Sequence, residues 1–406
     1  MSVTFQQREL ASGLTVIAEV DPSAHSAAAG FFVRTGARDE PGRLMGVSHF
    51  LEHMMFKGTE AISVDELNRR FDELGAKNNA YTSSEVTCFY AHVLPERLDE
   101  AVDLLGAMMR PALRQRDFDT EKNVILEEIA MYQDNPFWVL YESVVAAHYR
   151  DHALGHRVLG TDETITALER DEMMAYFNDR YSADNTVVSL AGNIDFDRCC
   201  DTVERVCSAW ERTGASRDAT PPPSGADALD LTDDGVHRGY YLSVADGPSA
   251  QDDARYAASL ASQLLGAPDN SRLHWALVDS GIAEEAQSGF DAHDGVGSVF
   301  VYASGEPNRL DEIASVIIRE TDGLADAVNE DELDRLRTKI APAATLSGER
   351  PADRMQRIGR VWATTGEYRS LEEELDRIGA VTVRDVLTYI DAARSAARTE
   401  GRLRPA

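Results

Sequence analysis

The sequence predicts an α+β fold of two homologous domains, each a mainly antiparallel sheet with helices packed on one face. Three observations predict it. The chain has 406 residues, which is long for a single core and comfortable for two. Its halves repeat a pattern 212 residues apart: Tyr90-Ala91 precedes Pro95-Glu-Arg97-Leu98-Asp99-Glu100, and Tyr302-Ala303 precedes Pro307-Asn-Arg309-Leu310-Asp311-Glu312. Between them, residues 213–227 gather small polar residues around Pro221, Pro222 and Pro223, the composition of a stiff, extended linker. The expected division is a first domain at 1–212, the Pro-rich linker at 213–227 and a second domain at 228–406.

The elements follow from periodicity. Apolar or alternating runs at 14–20, 28–33, 86–93 and 186–191 predict strands in the first half. Runs at 239–244 and 298–303 do so in the second. Helical spacing covers 47–55, 64–74, 98–109 and 121–133. Strands and helices alternate, but several strands are close enough for hairpins, so antiparallel sheets are expected. Asp72-Glu-Leu-Gly75-Ala76 and Asp279-Ser-Gly281-Ile-Ala283 are also alike, as a duplicated unit requires.

Composition narrows the function. The chain carries 40 basic and 70 acidic residues, a net charge of −30. Phosphate binding needs clustered Lys and Arg, so no nucleic-acid partner is expected. The acidic balance fits a solvating surface, with steering of basic peptides as the alternative. Four cysteines, Cys88, Cys199, Cys200 and Cys207, make no disulfide framework and read as reduced thiols. The opening residues have no basic stretch followed by an apolar core, and no run approaches a membrane span. A cytoplasmic protein without membrane contact is expected.

The chemistry concentrates at Gly46-Val-Ser-His49-Phe-Leu-Glu52-His53-Met-Met-Phe-Lys-Gly58. On a helix, residues four apart share a face, so both imidazoles of H-x-x-E-H reach one ion. Glu52 lies on the same side, where it can take a proton from water at the metal. Phe50, Leu51, Met54 and Met55 anchor the other side, and Gly46 or Ser48 begins the helix. Such a pattern arises by chance in roughly a few per cent of chains this long, so it needs support. A catalytic zinc takes three protein ligands. The helix near 121 places Glu121 and Glu128 two turns apart on the stripe of Ile125 and Tyr132. Acidic helices more often present a solvated face. A carboxylate pair among apolar residues beside H-x-x-E-H points instead to a metal.

His49-Phe-Leu-Glu52-His53-Met-Met-Phe-Lys-Gly-Thr59 resembles the signature of the pitrilysin/insulinase family of metallopeptidases, which includes mitochondrial processing peptidase and short bacterial enzymes. The resemblance implies one Zn2+ per chain held by His49, His53 and Glu128, with Glu52 as general base and Glu121 as a supporting carboxylate. It places Glu127 off the site. Asn79-Ala80-Tyr81-Thr82-Ser83 resembles the family's edge strand, where the Asn79 side chain and the Ala80 backbone bind peptide as an added β-strand. The implied architecture is half of a clam-like chamber, with a degenerate second repeat that serves the chamber and dimerisation.

One feature departs from the family. The second domain usually supplies an Arg and a Tyr, seven residues apart, to the active site. Here Val278 and Glu284 occupy those positions, and neither can donate to an oxyanion. His293 and Tyr302 are conceivable substitutes but read as strand residues. The expected function is therefore a zinc endopeptidase for extended or unfolded peptides, completed by a paralogous subunit that supplies Arg and Tyr, or else a homodimer. A non-catalytic peptide-binding or assembly subunit is the alternative. The ribosylhomocysteine lyase shares H-x-x-E-H but uses a Cys ligand, for which Cys88 is poorly placed.

Overall fold

The computed structural model describes residues 3–218 and 220–406. Met1, Ser2 and Ala219, the last inside the Pro-rich stretch, lie outside the described residues. In chain order the first half forms β1 (Thr4–Glu9), β2 (Thr15–Val20), β3 (Ala27–Val33), α1 (Val47–Met55), α2 (Val64–Glu73), β4 (Lys77–Thr82), β5 (Thr87–Val93) and α3 (Leu98–Met108). It continues with α4 (Gln115–Gln133), α5 (Pro136–Tyr149), α6 (Asp162–Ala167), α7 (Arg170–Arg180), β6 (Thr186–Gly192) and α8 (Phe196–Val206). The second half forms β7 (Ala228–Thr232), β8 (Gly239–Gly247), α9 (Ala254–Gly266), a single π turn (His274–Asp279), β9 (Glu285–His293) and β10 (Val296–Gly305). Helices α10 (Leu310–Asp322), α11 (Leu324–Ala327), α12 (Glu330–Gly348), α13 (Pro351–Thr365), α14 (Leu371–Ala380) and α15 (Val383–Ala393) precede β11 (Arg398–Arg404). Eight of the ten segments expected from periodicity appear within two residues at each end. The exceptions are β8, which runs three residues past the expected 244, and α4, which begins six residues before the expected 121.

Side-chain alternation decides what covers each face of the first sheet, whose order is β1-β2-β6-β3-β5-β4. Phe31, Val33, Phe89, Val188 and Leu190 point one way, into a core closed by α1, α3, α7 and α8. Their neighbours Phe32, Cys88, Val187 and Ile17 point the other way, against Met355 and Ile358 of α13. Two glycines allow that helix to lie close. A Cβ on Gly30 would sit 2.5 Å from Met355 Sδ, and one on Gly359 would sit 2.3 Å from the Phe32 ring. Arg354 and Arg357 of α13, with Tyr368, meet the buried Glu19 carboxylate of β2.

The second sheet has the order β7-β11-β8-β10-β9 and repeats the plan of the first without β1. Each sheet has one parallel pair, β2 with β6 and β7 with β11, and is otherwise antiparallel. The repeated Tyr-Ala and Pro-x-Arg-Leu segments occupy equivalent places, on β5 then α3 and on β10 then α10. One face is closed by α9, α10 and α15. The other meets Leu140 and Val144 of α5, against which Gly401 of β11 is tightly set.

The two compact units are consequently discontinuous in sequence. One comprises Met1–Ile129, His156–Asp218 and Thr345–Arg369; the other comprises Ala130–Gly155, Ala219–Ala344 and Ser370–Ala406. A contiguous cut at 212 and 228 leaves α5 and α13 with the halves they come from, whereas each folds onto the sheet of the other half. The described part of 213–227 contains no helix or strand. Its Arg217 is bound to Asp39, with Nε donating to Oδ1 at 3.0 Å and a second nitrogen donating to Oδ2 at 2.9 Å.

Candidate metal centre

Helix α1 starts at Gly46, whose φ of 94° and close approach to the Leu159 carbonyl both require glycine. No side chain of the helix caps it. Instead, the buried Glu40 carboxylate accepts from the Gly46 and Ser48 amides, each at 2.7 Å, and so satisfies donors that a helix start leaves open. Phe50, Leu51, Met54 and Met55 are buried in the core, which fixes the rotation of the helix. Phe50 also stacks on Phe118 of α4 at 4.8 Å. That contact aligns the two helices that carry the site.

The remaining face of α1 presents His49, Glu52 and His53. The two imidazoles meet edge to face, with centroids 4.7 Å apart. Glu128 of α4 approaches both: its Oε2 lies 3.9 Å from His49 Nε2 and 3.6 Å from His53 Nε2. One donor atom from each of the three residues lies within 4.8 Å of the others. Tetrahedral zinc with bonds near 2.0–2.1 Å separates its ligand atoms by about 3.3 Å, so the three donors would draw together to hold one. The donor chemistry fits as well. Burial, followed by the charge of His53, pushes His49 down to about 3, leaving a neutral imidazole able to bind a cation. His49 Nδ1 is buried without a partner among the described residues.

Glu121 orders the second imidazole. Its Oε1 lies 2.9 Å from His53 Nδ1, and its Oε2 accepts from Lys57 Nζ at 2.5 Å. A proton held on Nδ1 by this contact leaves Nε2 free to face Glu128. Burial alone would raise the Glu121 pKa, but the hydrogen bonds from His53 and Lys57 outweigh it and hold the carboxyl below its ordinary value. Glu52 stands apart from this cluster. It accepts from Thr82 Oγ1 at 2.6 Å, and burial raises its pKa against that bond. A carboxylate in that condition is a stronger base than one in water. Glu127 is exposed, one position off the face of Glu128.

Strand β4, with Asn79 and Ala80, is the outer strand of its sheet. The Ala80 amide donates to Asn79 Oδ1 at 2.9 Å. Thr82, two residues on, carries the strand's alternation back to Glu52. Sequence reasoning missed Lys57, Thr82 and Glu40. Lys57 was detectable as the residue four after His53, on the same helical face. Thr82 shares the parity of Ala80, but the approach of β4 to α1 is a tertiary fact. Glu40 had no local signal.

The sequence as a whole gives the same direction. Residues 15–162 match the family model described as insulinase (peptidase family M16), and residues 167–340 match the one described as peptidase M16 inactive domain. The chain belongs to the insulinase peptidase family. Among similar family members, YmxG of Bacillus subtilis, named a zinc protease, is 30% identical over 378 residues, covering 92% of each chain. A protein of Streptomyces coelicolor, also named a zinc protease, is 31% identical over 396 residues, covering 94% of this chain and 86% of its own. The fold is shared with a protease from Helicobacter pylori, at a TM-score of 0.92, 19% identity and full coverage of both chains. A putative M16-like peptidase from Alicyclobacillus acidocaldarius superimposes at a TM-score of 0.83, with 20% identity over 100% of this chain and 99% of that one.

Val278 and Glu284, expected from the sequence at the family's Arg and Tyr positions, lie in the other compact unit. Val278 is the penultimate residue of the π turn and packs against the second core. Glu284 pairs with Arg238 at 2.7 Å. His293 and Tyr302 lie in β9 and β10, with Tyr302 buried edge-on against Phe137. No helix among the described residues is long and apolar enough to cross a membrane.

Proposed function

We propose that the chain is a zinc-dependent endopeptidase for extended peptides and the metal-bearing subunit of a two-chain enzyme. The observation that carries this reading is the convergence of His49, His53 and Glu128 beside a half-buried Glu52 whose pKa burial raises. His49 Nε2, His53 Nε2 and a Glu128 oxygen would hold one zinc per chain. When bound, zinc supplies a Lewis acid that lowers the pKa of water and polarises the scissile carbonyl. Glu52 takes the proton of the attacking water and delivers it to the leaving nitrogen. Thr82 keeps the Glu52 carboxylate aimed along one direction. Lys57 and Glu121 hold the His53 ring and its tautomer. The substrate adds to the free edge of β4 as a strand, with Asn79 turning from the Ala80 amide to the peptide.

Val278 and Glu284 leave this chain without its own oxyanion donors at the positions the family uses. A paralogous chain of similar length, carrying Arg and Tyr there, would complete the site, and a cytoplasmic heterodimer is the proposed working form. The same departure is what favours the second reading, a non-catalytic peptide-binding subunit. Retention of the complete metal and base constellation supports the catalytic one. Assay of the purified chain alone and with its paralogue separates them: weak hydrolysis alone and strong hydrolysis together is the expected result. High activity from the chain alone contradicts the two-chain arrangement, and none in either case contradicts the enzyme.

A further inference from the structure

The second compact unit contains a cavity of about 280 Å3 between its sheet and its helical layer. Its floor consists of two cross-strand rows. Arg398, Ala245 and Val299 face one another across β11, β8 and β10, and Ser243, Val301 and Ser288 do so across β8, β10 and β9. In the first sheet, the helix-facing row Val188, Phe31 and Phe89 is bulky and fully buried. The second sheet substitutes serine, alanine and valine, and the space follows from that choice of residues. The cavity is not sealed. It shares Asp246, Tyr389, Ala393 and Ala396 with a wider cleft of about 700 Å3 between α9 and α15. Chamber and cleft together have the size of a small-molecule site.

Two polar side chains inside lack partners. The Arg398 side chain makes no hydrogen bond or ion pair among the described residues, although it lines the chamber. Thr321 Oγ1 is buried without a partner. Ser262 and Ser288 hydroxyls satisfy each other at 3.0 Å. The other charges at the chamber are engaged or out of reach. Asp246 turns to His148 at 3.1 Å, Arg394 pairs with Asp391 at 3.1 Å, and Asp322 makes no ion pair with Arg398. A cation in a partly desolvated chamber of mixed polarity lacks an ion-pair partner there, and an anionic group would supply one.

We propose that this cavity binds a small amphipathic monocarboxylate, its head on Arg398 and Thr321 and its chain over Val299, Val301 and Ile390. A planar carboxylate matches the guanidinium fork, and the aliphatic floor matches an unbranched chain. The site is independent of the metal centre.

Octanoate and octanol, titrated into the full chain by calorimetry, test it. Octanoate should bind in the submillimolar range, with octanol, which lacks the carboxylate, about tenfold weaker or more. Arg398→Met should abolish that preference, and Ala393→Phe, which narrows chamber and cleft together, should abolish binding of both. Thermal melts and zinc content confirm that the variants fold. Equal affinity for octanoate and octanol, or unchanged octanoate binding in Arg398→Met, overturns the assigned head-group site. No octanoate binding up to about 10 mM makes the cavity a packing void and overturns the proposal outright.

Discussion

Lys57 and Glu121 decide more at the candidate metal centre than their distance from Glu128 suggests. Their charges enclose the Nδ1 side of His53, so the ring's proton and orientation depend on both. Lys57→Met should lower zinc affinity about tenfold, Glu121→Gln by about 10–100-fold, and Lys57→Arg should retain most of it, measured by competition with a chelator. Affinity unchanged in Lys57→Met would mean the pair is structural only. The histidines and the two carboxylates of α4 were legible because helical spacing is local: four residues bring His49 and His53 together, and seven bring Glu121 under Glu128. Thr82 and Glu40 were not legible, because the first acts across a strand-to-helix contact and the second caps α1 from a preceding turn.

At the scale of elements, α13 and β4 carry separate burdens. Gly359 lets α13 touch the Phe32 ring, so Gly359→Val should destabilise the protein by about 1–3 kcal/mol through overpacking, read from urea unfolding. Ala80 directs its amide to a side chain, so a proline there removes a docking donor. Ala80→Pro should raise KM for peptides while zinc content stays at the wild-type level. Helix α5 is tied to the second sheet by His148 and Asp246. Burial opposes the Asp246 charge, but hydrogen bonds from His148 and Ser224 prevail and lower its pKa below 3.8. A depressed carboxylate stabilises the fold above its unfolded pKa and loses that contribution as pH falls through the folded value. Asp246→Asn should therefore cost roughly 1–2 kcal/mol at pH 6, with the deficit shrinking below about pH 3.8, followed by denaturant melts. The sequence hid two elements in particular. β11 reads Arg-Thr-Glu-Gly-Arg-Leu-Arg, yet Thr399, Gly401 and Leu403 alternate inward and place it between β7 and β8. Helix α5 has apolar residues around most of its circumference, so its periodicity could not say which sheet it covers.

For the whole molecule, duplication explains both the symmetry and the asymmetry. The two sheets keep one strand plan, which the 212-residue repeat announced, while the exchange of α5 and α13 depends on contacts far apart in sequence. The first copy carries the candidate metal constellation; the second keeps the frame and replaces large core residues by small ones. On the proposed reading the chemistry sits at a single centre in the first compact unit, whose most direct test is the metal itself. Metal analysis with zinc-edge X-ray absorption should find one zinc per chain with two imidazole nitrogens and carboxylate oxygen, preserved in Glu52→Gln while peptide hydrolysis is lost. Sulfur in the coordination shell, absence of tightly bound zinc, or full hydrolysis by Glu52→Gln would contradict it.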